Sequence, residues 1–247
     1  MDSSLSSSFR DTCWKLDKIR PAVHNDPVAN PAAVVNLVNH AYTRAEQGLV
    51  RPHYYSDCHK PCVVRLTLYQ AEELIKGGEL LVLTGRQETL SHKENDPAAP
   101  QDEERKAEKA ETTAKLLGCC TVQKLDETVG EWGCLAVHTD YQGYGLGLLL
   151  VQAAEARLRN QYKCRILQIQ FLDFDHPDDN DKLIQTTAYR HKQRLRAWYI
   201  KKLGYTAVPS EAQFFGVNAP FGDSSHMYFD AAATLTPLRK DCKESSA

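Results

Sequence analysis

The stretch "DYQGYGLGLLL", residues 140–150, carries glycines at 143, 145 and 147 and runs directly into an apolar segment. A helix N-terminus exposes unpaired backbone N–H groups and the positive end of its dipole. Glycines there let a bulky anion come close to those donors. A strand-like run, "GEWGCLAVHTD" (130–140), precedes the glycines. Strand, glycine turn and helix in this order make a pyrophosphate site, or else a turn that packs a helix on a sheet. Two other nucleotide loops fail on spacing. A dinucleotide fold requires G-x-G-x-x-G, and the third glycine here comes one residue early, with Asp173 and Asp175 late for the ribose acid. A P-loop requires Gly-Lys-Ser/Thr, which the stretch lacks.

Working outward, the helix opened by the glycines has an apolar face of Leu146, Leu149, Leu150, Ala153, Ala154 and Leu158. Before it, "KLLGCCTVQKL" (115–125) and 130–140 read as two strands joined by "DETVG". After it come a strand, "KCRILQIQFLDF" (163–174), and a helical run from Lys182 to Leu203 stopped by Gly204. "HMYFDAAATL" (226–235) reads as the last strand. Toward the N-terminus, "KIRPAVHND" (18–26) reads as a first strand. "NPAAVVNLVNHAYTRAEQ" (30–47) reads as a helix capped by Asn30 with Pro31 in its first turn. "TLYQAEELIKGG" (67–78) is a second short helix, and "ELLVLTGR" (79–86) a buried strand.

Residues 88–113 break the pattern with dense mixed charge and almost no apolar side chains, so they read as a disordered insertion within a hairpin. Residues 1–16 read as a flexible leader and 239–247 as a tail, leaving one domain over 17–238. The predicted class is mixed α/β.

The bulk numbers exclude several functions. With 42% apolar and 25% charged residues and a net charge of −2, the 247-residue chain is of ordinary globular composition, not a nucleic-acid binder with a large phosphate footprint. No apolar run reaches the roughly 18 residues that span a bilayer. The N-terminus lacks a signal-peptide core, so the expected compartment is the cytoplasm, with the nucleus also compatible. The eight cysteines then read as reduced thiols. Cys58, His59 and Cys62 have no second ligand pair, so no metal is expected. The expected assembly is a monomer or homodimer.

Gln142-Gly143-Tyr144-Gly145-Leu146-Gly147 matches Q/R-x-x-G-x-G/A and so resembles the acetyl-CoA loop of the GNAT superfamily of N-acetyltransferases. "EWGCLAV" resembles the strand before that loop, "LRAWYIKKLGY" the late helix with its tyrosine and Gly-aromatic end, and "IRPAVHND" the opening strand. The resemblance runs from about residue 18 to 235, excluding the insertion. It implies a central, mostly antiparallel twisted sheet, splayed at the acetyl-CoA site, with helices on both faces. It also implies that Leu135, Ala136 and Val137 pair with the pantetheine arm, and that backbone N–H groups from Gln142 through Tyr144, Gly145 and Gly147 to Leu148 hold the pyrophosphate.

For the chemistry, the resemblance makes Glu131 a base, water relay or amine anchor, and Tyr199 the general acid for the leaving thiolate. An amine with a pKa near 10 is almost wholly protonated at neutral pH, which is why a base is needed. Tyr199 stands five residues before Gly204, where the family commonly has four, so either the helix holds an extra residue or the tyrosine points elsewhere. Cys134 reads as a strand thiol, not an acyl carrier, and His138 as a loop-entry residue with local hydrogen bonds. Tyr42, Glu46, Tyr54 and Tyr55 lie where the family has its acceptor wall. "DFDHPDDND" (173–181) reads as a solvated acidic loop. The expected activity is direct acetyl transfer from acetyl-CoA to a primary amine in a ternary complex, a small molecule favoured over a protein N-terminus or lysine. A non-catalytic acyl-CoA-binding domain is the rival.

Overall fold

In chain order the elements are β1 (Trp14–Leu16), β2 (Arg20–Pro21), α1 (Pro31–Ala45), α2 (Leu68–Lys76), β3 (Leu80–Gln87), β4 (Ala114–Lys124) and β5 (Val129–Val137). Then follow α3 (Leu146–Asn160), β6 (Ile166–Phe174), α4 (Thr187–Ala197), β7 (Thr206–Ala207), β8 (Gln213–Phe215) and β9 (Ala233–Asp241). A π-helical turn, Trp198–Lys202, continues α4. This computed structural model describes residues 14–47, 49–50, 63–87, 114–174, 187–216, 219–220, 229 and 232–242.

The described strands form one sheet in the order β1-β3-β4-β5-β6-β9-β7, with β2 added beside β3 and β8 beside β9. All neighbours are antiparallel except β5 and β6. The mixed, mostly antiparallel sheet agrees with the expected fold class.

Local chemistry sets the helix ends. Asn30 Oδ1 accepts the Ala33 N–H at 2.9 Å, and Pro31 occupies the first helical position, where a missing N–H costs nothing. Thr67 and Gln70 form a reciprocal capping box, and α2 stops at Gly77. In the β4–β5 turn, Asp126 Oδ1 accepts the N–H groups of Thr128 and Val129.

Helices cover both faces. α1 and α2 bury Val34, Val38, Ala71 and Ile75 against Leu80, Val82 and Cys119. On the opposite face α3 buries Leu146, Leu150, Ala154 and Leu158 against Leu81, Leu117, Cys120 and Trp132. The start of α4 packs Ala188 and Tyr189 with Leu172 and Phe174 of β6. Alternate residues of one strand thus serve different cores.

The expected first and last strands need correction. Within 18–26 only Arg20–Pro21 is strand, and β1 begins at Trp14, inside the segment read as leader. The last strand is displaced: β9 runs to Asp241, into the segment read as a tail, and includes Pro237. Pro237 accepts from the Val208 N–H through its carbonyl at 2.9 Å. Its ring nitrogen therefore faces the break between β7 and β8, where no ladder bond is lost. Residues 88–113 lie outside the described residues, while Arg86 and Ala114 pair across the hairpin that brackets them.

Gly130 sits where β5 meets α3. A Cβ there would stand 2.5 Å from Leu158 Cδ2 and 2.8 Å from Cys164 Sγ. Gly130→Ala should lower stability by about 1–3 kcal/mol, read from the denaturant midpoint, because both neighbours are locked in the core. A midpoint equal to wild type would show that the core there repacks freely.

Candidate active site

Two irregularities open the sheet. Between β4 and β5 the register jumps, with Cys119 opposite Ala136 but Thr121 opposite Gly133. One residue of β4 therefore faces Cys134 and Leu135, and Cys134 takes a φ of +42°. Such a bulge bends the strand. On its other edge β5 pairs with β6 only at Val129, Gly130 and Glu131, opposite Ile166, Leu167 and Gln168. From Trp132 onward that edge has no strand partner among the described residues. The sheet is splayed, with Glu131 at the vertex.

A cavity of ≈ 290 Å³ occupies the splay. Leu135, Ala136 and Val137 form one side, and Gln142, Gly143, Gly145, Leu146 and Gly147 the end. Ala41 and Tyr42 of α1 and Lys192 and Leu195 of α4 close it, with Tyr199. Of the residues expected at the cofactor, Tyr144 and Leu148 do not line this cavity. Tyr144 packs on the core, and the Leu148 N–H is already bonded to the Gly145 carbonyl at 3.0 Å.

The loop is built to present donors. Gly143 and Gly145 have φ values of +85° and +91°, and Gly145 is the N-cap of α3 with no side-chain cap. The N–H groups of Gly143, Gly145, Leu146 and Gly147 meet no acceptor among the described residues. A Cβ on Gly143 would meet nothing within 4 Å, and one on Gly147 only Leu135 and Val137 methyls at 3.9 Å. Packing of helix on sheet therefore does not require these two glycines. Gln142 Nε2 donates to the Val137 carbonyl at 3.1 Å, which ties the loop to the end of β5. His138 Nδ1 accepts the Asp140 N–H at 3.3 Å, the local role expected of it.

A second cavity, ≈ 770 Å³, opens on the other side of Tyr199 and shares Tyr42, Lys192 and Leu195 with the first. Glu131 lines it, and Glu131 Oε2 accepts from Gln168 Nε2 at 2.8 Å and Gln170 Nε2 at 3.3 Å. Cys134 lines it too, but burial pushes its thiol up, away from a reactive thiolate.

The spacing problem at Tyr199 has a structural answer. The π turn adds one residue to the end of α4: the Leu203 N–H bonds to Trp198 O at 3.1 Å, five residues back. The turn closes at Gly204, φ +78°, and Tyr205 anchors it by accepting from Trp132 Nε1 at 2.7 Å and donating to Glu155 at 3.0 Å. Tyr199 is only 8% exposed, edge-on to Trp132 and Phe171 with ring centroids 5.9 Å away in each case. Burial raises its pKa, so the hydroxyl stays protonated well past neutrality.

At the acceptor wall, Tyr42 lines both cavities, whereas Tyr54 and Tyr55 lie outside the described residues. Glu46 lines the second cavity but is 0% exposed and already engaged. Its carboxylate accepts from Arg65 Nε at 2.9 Å, Arg65 Nη2 at 2.6 Å and Lys192 Nζ at 2.6 Å. Burial alone would raise the Glu46 carboxyl, but these two cations hold it below the ordinary range. The cluster joins α1 to α4 and the approach to α2, so Glu46 is a tether between the cavity walls. Arg65 and Lys192 escaped the sequence reading because they lie 19 and 146 residues away. Asp173, at the head of the acidic loop, bonds Gln193 at 3.2 Å and Arg196 at 3.3 Å, while 175–181 lie outside the described residues, as do Cys58, His59 and Cys62. Among the described residues no helix is long and apolar enough to cross a membrane.

Residues 80–184 match the model of the acetyltransferase (GNAT) family. No curated protein matches the chain in sequence. Among solved structures it is similar to an aminoglycoside 6'-N-acetyltransferase complexed with coenzyme A, at 16% identity and TM-score 0.48 over 91% of this chain and 97% of that one. It is similar to the aminoglycoside 6'-N-acetyltransferase of Enterococcus faecium at 17% and 0.44, over 91% and 97%. It is also similar to Arabidopsis thaliana NAA60 in complex with a bisubstrate analogue, at 10% and 0.45, over 94% and 99%. The matched segment contains the splayed strands, the glycine loop and α3, and over it the chain is similar to the GNAT family of acetyltransferases, whose cosubstrate is acetyl-CoA.

Proposed function

We propose that the protein transfers an acetyl group from acetyl-CoA directly to a primary amine, within a ternary complex. The observation that carries this is the meeting of two cavities at Tyr199: a narrow one ending at open backbone N–H groups, and a wide one lined by Glu131. The narrow cavity takes the cosubstrate. Its pyrophosphate lies against the N–H groups of Gly143 to Gly147, and its pantetheine arm along the unpaired edge of β5. The wide cavity takes the amine. Glu131, at the vertex of the splay, accepts the ammonium proton directly or through water, and the freed lone pair attacks the thioester carbonyl. As the tetrahedral intermediate collapses, the C–S bond breaks, the Tyr199 hydroxyl gives its proton to the departing thiolate, and the second proton lost by the nitrogen returns through water to the tyrosinate.

A small amine is the favoured acceptor, and one observation supports a protein amine as the second reading. The wide cavity exceeds what a small amine fills, and Tyr69 on its rim is 71% exposed. Spermidine, L-lysine, kanamycin and a lysine-containing peptide with a free N-terminus, each with acetyl-CoA, separate the two readings by mass spectrometry of products. With the best acceptor, Glu131→Gln should lower kcat about ten- to a hundred-fold. Unchanged kcat would remove Glu131 from the reaction. Saturable acetyl-CoA binding with no product from any amine would favour the non-catalytic reading.

A further inference from the structure

A line of polar side chains crosses one face of the sheet at the register of Glu131. Gln168 of β6 is its partner across the parallel pair, and Arg239 of β9 is the partner of Gln168 across the next. Directly paired residues stand on the same face, within reach of one another. The hydrogen bonds give this line a direction. Arg239 Nε donates to Gln168 Oε1 at 2.7 Å, and a guanidinium has no acceptor, so the amide oxygen must face Arg239. The amide nitrogen is thereby turned the other way and donates to Glu131 Oε2 at 2.8 Å. Arg239 is itself clamped by Glu211, with both terminal nitrogens 2.6 Å from its carboxylate oxygens. Gln170 donates to the same Glu131 oxygen. Both donors converge on Oε2, and Glu131 Oε1 has no donor among the described residues.

We propose that Gln168 and Arg239 are positioning residues for acetyl transfer, a relay from Glu211 through Arg239 and Gln168 that holds the Glu131 side chain in one orientation and leaves Oε1 for the amine. This rests on the reading of Glu131 as the base. A glutamate at a strand surface otherwise samples several rotamers, and most of them would turn it away from the acceptor. Gln168 is 5% exposed, a position where an apolar side chain would suffice for packing alone. Other ionisable groups share the cavity with Glu131: Glu73 and Glu79 on the α2 side, the Arg65–Glu46–Lys192 cluster opposite, and Cys134 on its own strand. Substitutions in the relay leave all of these in place.

The test measures Glu131 itself. In protein labelled with 13C at glutamate carboxyls, the Glu131 signal is the one lost in Glu131→Gln, and its titration midpoint is followed by NMR. Gln168→Leu removes a donor that favours the charged carboxylate, so the midpoint should rise by about one pH unit. Arg239→Met should raise it less, and Arg239→Lys, which keeps a charged donor, should bring it back toward wild type. With the best amine of the panel, Gln168→Leu should lower kcat about ten-fold at constant KM for acetyl-CoA. A purely structural role would lower the melting temperature and leave the midpoint where it is. That result in folded Gln168→Leu overturns the relay; if this variant fails to fold, an unchanged midpoint in Arg239→Met does so. Full activity in Glu131→Gln would overturn the base reading alone, since the midpoint still reports on the relay.

Discussion

Gly145→Val should abolish measurable acetyl-CoA binding, raising the dissociation constant at least about a hundred-fold, or close to 3 kcal/mol. Two effects combine. At φ +91° Gly145 occupies the left-handed region, which a β-branched residue enters only with strain of about 1–2 kcal/mol. The valine must then deform the loop, and its methyls stand among the N–H groups that would face the pyrophosphate. Gly143→Ala isolates part of the effect. Its Cβ meets nothing in the protein, so a loss of affinity of about ten-fold would come from the strained φ and the crowded ligand space, not from a clash in the fold. Calorimetric titration with acetyl-CoA, with NADH as control and a thermal melt to verify folding, decides the matter. Normal acetyl-CoA binding by folded Gly145→Val would mean that the glycines only turn the chain.

Those glycines were legible because their signal is local: spacing, a strand before and a helix after. The same holds for the Asn30 and Thr67 caps and for most strand and helix positions. Contacts between distant segments could not be read this way. Glu46 reads as part of the acceptor wall until Arg65 and Lys192 converge on it, and nothing local to Glu131 reveals Gln168 and Arg239 behind it. β9 was misplaced for a related reason: its extent is set by pairing with the distant β6, from Phe174 opposite Ala233 to Ile166 opposite Asp241. Tyr199 lies between these cases. The count of residues to Gly204 exposed the anomaly, and only the backbone could decide between an added residue and a misdirected side chain.

Tyr199→Phe should leave acetyl-CoA affinity and melting temperature near wild type while lowering kcat by about 10²–10⁴-fold. The stability expectation follows from the packing. The ring keeps its edge-on contacts with Trp132 and Phe171, and the deleted hydroxyl has no hydrogen-bond partner among the described residues. The kinetic expectation follows from what that hydroxyl would otherwise do. It sits where the two cavities meet, and burial keeps it protonated at pH values where an exposed tyrosine, with a pKa near 10, would begin to ionise. As pH rises, an acid of this kind remains available, so the wild-type rate should hold through the alkaline range rather than fall near pH 10. Stopped-flow release of thiol with the best amine separates the step from product release. An unchanged turnover number in Tyr199→Phe would mean that water protonates the thiolate. The π turn would then serve to carry the chain from α4 to its anchor at Tyr205, and the aromatic cluster would be a floor for the cavities instead of a proton source.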